Sequence, residues 1–314
     1  MAVIELKKDT AEIAKHWISV NNVLYATDFS AISEAAFPYA GAIARRFGST
    51  LHIAHVVSDA EVFMPGAVDY VSVGKLCEEA QCEAKEKIDA IVERFGDIPC
   101  RTHVGHGRVW TNLQETIAAN QIDLIVLGTH GRTGLGKLVL GSVAEEILRN
   151  APCPVLTVGP KVRGHAKLLE FRGQGREMAP AELELQRILF ATNLNSDSVA
   201  VAKFAVGLAK EFESRLTLMH VIEDYSKFEE QPRPIESAMT KLQALVPKES
   251  LLAYAPETFI EFGFASERIV RTAAEQEADL IVLGARPSDS TRTPWSTVHR
   301  VVAHANCPVL TVRE

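Results

Sequence analysis

Hydrophobic residues in this chain fall into two alternating patterns. Short continuous runs, "NVLYATD" from Asn22, "LHIAHVV" from Leu51, "DLIVLG" from Asp123 and "PVLTV" from Pro154, have the apolar, β-branched character of strands covered on both faces. Between them the apolar positions space out to a helical period. After the first run, Ala36, Phe37, Ala40, Ile43, Ala44 and Phe47 share one face, and Gly48 stands where a C-terminal cap belongs. With the shorter "RTHVG" from Arg101, the runs make a set of five strands alternating with helices. Such alternation predicts an open, doubly wound α/β layer with a parallel sheet and helices on both faces.

The same pattern then occurs again. "VLYATDFS" (Val23 to Ser30) returns as "ILFATNLN" (Ile188 to Asn195), and "LHIAHVV" as "LTLMHVI" (Leu216 to Ile222), both shifted by 165 residues. "DLIVLGTHG" (Asp123 to Gly131) returns as "DLIVLGARP" at a shift of 156, and "APCPVLTV" (Ala151 to Val158) as "ANCPVLTV" at 154. Four matches in one order mean two copies of one domain. The helical face recurs too, as Val201, Phe204, Ala205, Leu208 and Phe212. Residues 161–186, charged and carrying Gly164, Gly173, Gly175 and Pro180, read as a linker or covering segment, which sets domains at 1–160 and 187–314.

Composition narrows the function classes. With 47% hydrophobic and 23% charged residues the chain is globular, and a net charge of −7 without a basic stripe argues against a nucleic-acid partner. Charges at Glu5, Lys7, Lys8 and Asp9 break up any leader-like apolar stretch, and no run approaches the length of a membrane span, so a cytoplasmic protein is expected. Cys77, Cys82, Cys100, Cys153 and Cys307 form no C-x-x-C pair and read as reduced thiols.

Candidate chemistry concentrates in "GTHGRTGLGKLVLGS", Gly128 to Ser142, which holds five glycines in fifteen positions. A Walker A loop fails because Leu138 follows Gly136-Lys137 where a hydroxyl should bind Mg²⁺, and a dinucleotide fingerprint fails at Val139. A split site fits better. Gly128 and Gly131 turn the chain off its strand, and Gly141-Ser142 opens the next helix, with Ser142 and Glu145 spaced as a capping box. A helix start preceded by glycine offers N–H groups and positive dipole to a phosphate. A tight turn and a helix cap would be needed without a ligand as well, but two glycines would satisfy them.

These residues resemble a known family. Gly128-x2-Gly131-x9-Gly141-Ser142, with Asp28 ending the first strand and "PCPVLTV" as the last, is similar to the ATP-binding subclass of the universal stress proteins, here as a tandem pair with an adenine nucleotide alpha hydrolase-like, Rossmann-like fold. The resemblance implies that Asp28 contacts the ribose or adenine side, Val57 lines the adenine pocket, and Ala26 and Thr27 flank the base through the main chain. It further implies that the Gly128 and Gly131 backbone holds ribose and phosphates while Gly141, Ser142 and Val143 cap the phosphate chain of ATP, bound with Mg²⁺. In the second copy Asp28 becomes Asn193, Gly131 becomes Pro287 and Gly141 becomes Trp295. An indole and a proline in place of bare backbone predict weak or no ATP binding there.

Other conspicuous residues carry less. Arg132 and Lys137 could close over phosphates or simply be solvated, and His130 reads as surface. His55 and His220 recur without metal-ligand spacing and read as hydrogen-bonded strand-end histidines; Cys153 and Cys307 read as packed thiols. No catalytic constellation is evident. The leading expectation is an ATP-binding regulatory protein of the stress response, acting through a protein partner that the sequence does not identify. The alternatives are a slow ATPase or nucleotidyl-transfer enzyme, for which Asp28 is the visible candidate, and a ligand-free scaffold. The family's habit of pairing through the last strand implies a pseudo-dimer within the chain, with further association of two chains left open.

Overall fold

A computed structural model describes residues 18–59, 70–129, 140–162, 166–168, 181–224, 233–285 and 294–313. The first half runs β1 (Asn22–Ala26), α1 (Ala31–Phe47), β2 (Thr50–Val57), α2 (Tyr70–Phe95), β3 (Cys100–His106), α3 (Val109–Ala119), β4 (Leu124–Gly128), α4 (Ser142–Asn150) and β5 (Val155–Val158). A small antiparallel pair follows, β6 (Ala166–Leu168) with β7 (Ala181–Leu183), and lies against α1. The segment between the copies thus covers part of the first domain. The second half repeats the first as β8 (Arg187–Thr192), α5 (Ser198–Glu211), β9 (Arg215–Ile222), α6 (Pro234–Ala244), β10 (Glu257–Phe262), α7 (Ala265–Glu275), β11 (Leu280–Ala285), α8 (Pro294–His304) and β12 (Val309–Arg313).

Each half is a five-stranded parallel sheet, ordered β3-β2-β1-β4-β5 and β10-β9-β8-β11-β12. The tandem doubly wound reading is therefore borne out. The order reverses between β1 and β4, which places the ligand crevice of such a sheet at their carboxyl ends. Burial explains why the strands read as continuous apolar runs: in β4, Leu124 to Leu127 are all buried, and in β2 Leu51 to Val57 are all buried. Helix α1 starts where Ser30 Oγ accepts the Ser33 N–H at 3.1 Å and stops at Gly48, in the left-handed conformation with φ +64°. The fall in repeat shift from 165 to 156 lies between β9 and β10, where the 11-residue α6 stands in for the 26-residue α2.

The two sheets are one. β5 pairs antiparallel with β12, aligning Leu156 with Leu310, Val155 with Thr311 and Thr157 with Val309, so ten strands form a continuous layer. Leu156 and Leu310 occupy the same position in the repeat, and the flanking pairs exchange equivalent residues. This is the register of an isologous interface, with a pseudo-two-fold axis passing between the two leucines. It also removes two strand edges from solvent.

The hydrophobic cores are shared in the same way. One lies under α1, α2, α5 and α6, the other under α3, α4, α7 and α8, and each contains side chains of both halves. Among the described residues no helix is long and apolar enough to cross a membrane.

Candidate functional site

The chain leaves β1 through a turn that uses nearly every polar atom of Thr27. Its N–H donates to the Ala54 carbonyl at 3.0 Å, its Oγ1 accepts the Phe29 N–H at 3.0 Å and lies 3.1 Å from Ser33 Oγ, and its carbonyl accepts His55 Nδ1 at 2.9 Å. Phe29 sits at φ +61° with its ring 4.3 Å from the His55 ring. Asp28 Oδ1 accepts the Ser30 N–H at 3.0 Å, an Asx turn into α1. His55 is thus the expected hydrogen-bonded histidine, donating from Nδ1 to a carbonyl.

The second copy builds the same turn. His220 Nδ1 lies 2.9 Å from the Thr192 carbonyl, Thr192 Oγ1 accepts the Leu194 N–H at 3.1 Å, Leu194 has φ +58°, and Asn193 Oδ1 accepts the Asn195 N–H at 3.1 Å. Burial holds His220 below the usual histidine range. Asn193 serves the turn as Asp28 does, so the N–H bond that starts the helix has no need of a carboxylate, and Asp28 adds a charge that the second copy lacks at this position.

Across the crevice, Gly128 ends β4. A Cβ there would lie 2.6 Å from the Ile32 carbonyl oxygen and 2.9 Å from Ser33 Cα, so the first turn of α1 requires this glycine by close approach. Thr129, fully buried, donates its N–H to Val158 O at 3.1 Å and accepts the Gly141 N–H at 2.8 Å. That second bond ties the end of β4 to the start of α4.

Here one expectation is corrected. Helix α4 begins at Ser142 as read, but its N-cap is Gly141, in an extended conformation with φ −64° and ψ 146°, and no side chain makes a cap hydrogen bond. Ser142 is therefore the first helical residue, not a capping-box serine. The Glu145 carboxylate accepts from Arg149 at 2.8 Å instead of reaching back to the cap. Glycine at the cap brings no side chain of its own to the first-turn N–H groups of Ser142 and Val143, and the Gly141 N–H is already spent on Thr129.

Val57 is buried at the end of β2, packed with Ala84 beside Phe29 and Val104, and its carbonyl accepts the Gly107 N–H at 2.9 Å. Gly107 has φ +96°, and its counterpart Gly263 has φ +118° and bonds Ile222 O at 3.1 Å. Sequence reasoning missed this second glycine-dependent strand end; the signal was the recurrence of Gly107 and Gly263 at the 156-residue shift. It also missed the role of the repeated aspartates that open "DLIVLG". Asp123 Oδ2 accepts the Asn21 and Asn22 N–H groups at 2.6 and 2.9 Å, and Asp279 Oδ2 those of Gln186 and Arg187 at 2.8 Å.

Ala26, Thr27 and Asp28 thus stand at the end of β1 and in its turn, Gly128 at the end of β4, and Gly141, Ser142 and Val143 at the start of α4, which the Gly141–Thr129 bond ties to β4; Val57 packs beside Phe29. His130, Gly131, Arg132, Gly134, Gly136, Lys137 and Pro287 lie outside the described residues. In the second copy α8 begins at Pro294, so Trp295 is already helical where Gly141 is an extended cap. Glu223, at the carboxyl end of β9, accepts the Ala265 N–H at 2.7 Å. Burial pushes the Cys153 and Cys307 thiols up to about 12, which leaves both protonated and inert. Among the described residues no group of three His, Cys, Asp or Glu could hold a metal ion.

The universal stress protein family model matches residues 19–159 and 184–313, one match per domain. A universal stress protein of Methanocaldococcus jannaschii is 34% identical over 137 residues, covering 43% of this chain and 80% of its own. One of Mycobacterium tuberculosis is 35% identical over 134 residues, 43% of this chain, and the match spans only 44% of that relative. Among solved structures, a universal stress protein from Archaeoglobus fulgidus superposes with a TM-score of 0.65 over 94% of this chain and 99% of its own, at 20% identity, a likeness of fold.

Proposed function

The chain belongs to the universal stress protein family, and from that premise we propose that its first domain binds an adenine nucleotide, ATP with Mg²⁺, while its second domain serves mainly as structural partner. The observation that carries the reading is the start of α4. A glycine cap, tied to β4 through Gly141 and Thr129, brings no side chain of its own to the helix terminus, where first-turn N–H groups and positive dipole suit an anion. Gly131, Ser142 and Val143 would face the phosphates, Ala26, Thr27 and Val57 the base, and Asp28 the ribose hydroxyls.

The second domain supports the division of labour. It keeps the turn after β8 but carries Asn193 for Asp28, Pro287 for Gly131, and a helical Trp295 for the extended Gly141. Regulation by occupancy fits the site better than turnover, because Asp28, with one oxygen on the Ser30 N–H, is the one carboxylate the reading brings to the nucleotide, and it is placed at the ribose. Titration calorimetry of the full chain with ATP and Mg²⁺ should give one site per chain, and mass spectrometry of the purified protein should find an adenine nucleotide. Absence of both heat and co-purified nucleotide would overturn the reading.

A further inference from the structure

We propose that the seam between the two domains is keyed by charge inversion, so that domain 1 accepts the charge pattern of domain 2 and rejects a second copy of itself. On one face of the sheet, Arg46 Nε donates to Glu211 Oε1 at 3.0 Å, and the same guanidinium bonds the Glu211 carbonyl and lies 5.3 Å from the centre of the Phe212 ring. Phe47 meets Phe212 edge to face, with centroids 6.4 Å apart. On the other face, Glu145 Oε2 lies 3.7 Å from His299 Nε2, which is buried without a hydrogen-bond partner.

The repeat register makes these contacts informative. Arg46 and Glu211 are the same position at the shift of 165, as are Phe47 and Phe212; Glu145 and His299 are the same position at 154. Beside a two-fold axis equivalent positions face each other. The residues that are alike, Phe47 with Phe212 and Leu156 with Leu310, would meet equally well in any pairing of domains and so discriminate nothing. The residues that differ are complementary: an arginine meets a glutamate on one face, and a carboxylate faces an imidazole on the other.

Homotypic pairing undoes both contacts. Two first domains would set Arg46 against Arg46 and Glu145 against Glu145. Two second domains would bring together two copies of Glu211, 8% exposed at the present seam, with a carboxylate where each now meets the Arg46 guanidinium. Removing the partner of a buried charge is strongly unfavourable, and repulsion of the wrong partner is how specificity is built where the attractive contacts are shared. The partner that fits domain 1 therefore carries an acid opposite Arg46 and a base opposite Glu145, which domain 2 of this chain, or of a second copy, supplies.

The test uses the full chain throughout. In urea unfolding, Arg46→Glu and Glu211→Arg alone should each lower the midpoint, and the double reversal should recover most of the loss. Phe47→Cys, in a chain whose more accessible thiols are removed by Cys77→Ser and Cys82→Ser, then reports homotypic pairing, since two first domains would bring the introduced thiols together. Refolded from urea and mildly oxidised, this variant should give several-fold less disulfide-linked dimer with the native charges than in a background of Arg46→Ala, Glu211→Ala, Glu145→Ala and His299→Ala. Phe47→Cys combined with Phe212→Cys should form the bond within one chain in both backgrounds, which shows that each folds. Equal dimer yields in the two backgrounds, or a double reversal no more stable than the sum of its parts, would overturn the proposal.

Discussion

Asp28 carries the charge that separates the two copies, and its replacement separates its two tasks. Asp28→Asn should keep the turn, because Asn193 already makes it, while Asp28→Ala should remove both the turn bond and the proposed ribose contact. Calorimetry should find affinity for ATP reduced about ten- to hundredfold in Asp28→Ala, the worth of a hydrogen bond to a charged group, roughly 1.5–3 kcal/mol. Wild-type affinity in that variant would remove Asp28 from the site.

His52 sets a second residue-scale expectation. It is fully buried, with Nδ1 3.0 Å from His103 Nε2 and Nε2 3.3 Å from Asn22 Oδ1. Burial first, then the neighbouring His103 and Arg101, lowers it from 6.5 to about 4. The folded state therefore holds His52 neutral, and its contribution is complete above the unfolded value near 6.5 and lost as pH falls toward 4. His103 and His220 shift in the same direction. The urea midpoint should fall between pH 7 and pH 5, and His52→Gln should flatten part of that fall; an unchanged slope would count against it.

Elements were more legible than their ends. The strands of both copies, α1 and its Gly48 cap were readable because burial writes a period into the chain and a left-handed cap demands a particular residue. The start of α4 was misassigned by one position, since S-x-x-E spacing at Ser142 describes a capping box only if the serine precedes the helix. What decided the matter was tertiary, the bond from Gly141 to Thr129 at the end of β4. Close approach was equally invisible: nothing in the local sequence says that α1 presses its backbone against Gly128.

The corrected cap yields a clean test. Proline is tolerated as the first residue of a helix and favours an extended residue before it, which Gly141 already is. Ser142→Pro should thus leave the unfolding midpoint nearly unchanged, while deleting one N–H and the hydroxyl from the proposed phosphate site. Calorimetry should show ATP affinity falling at least several-fold. Undiminished binding would leave α4 a structural helix only.

At the scale of the whole molecule, the repeat gave away two domains, but the continuity of their cores depends on contacts between distant residues. Both cores draw on both halves, so the chain should unfold in a single transition. Leu310→Ala, at the seam, should lower that one midpoint by the usual cost of a large-to-small core substitution, about 2–5 kcal/mol. Two resolved transitions in calorimetry would mean that the halves are thermodynamically separate.

The antiparallel seam between β5 and β12 has one more consequence. Every strand of the first domain runs opposite to its equivalents in the second, so the two carboxyl edges open at opposite ends of the ten-stranded sheet. A symmetric pair of identical domains would look the same from either end. This molecule does not: one end bears Asp28 and the glycine cap, the other Asn193 and a helical tryptophan. It has a head and a tail, and a nucleotide bound as proposed in the first domain would alter the surface at the head alone.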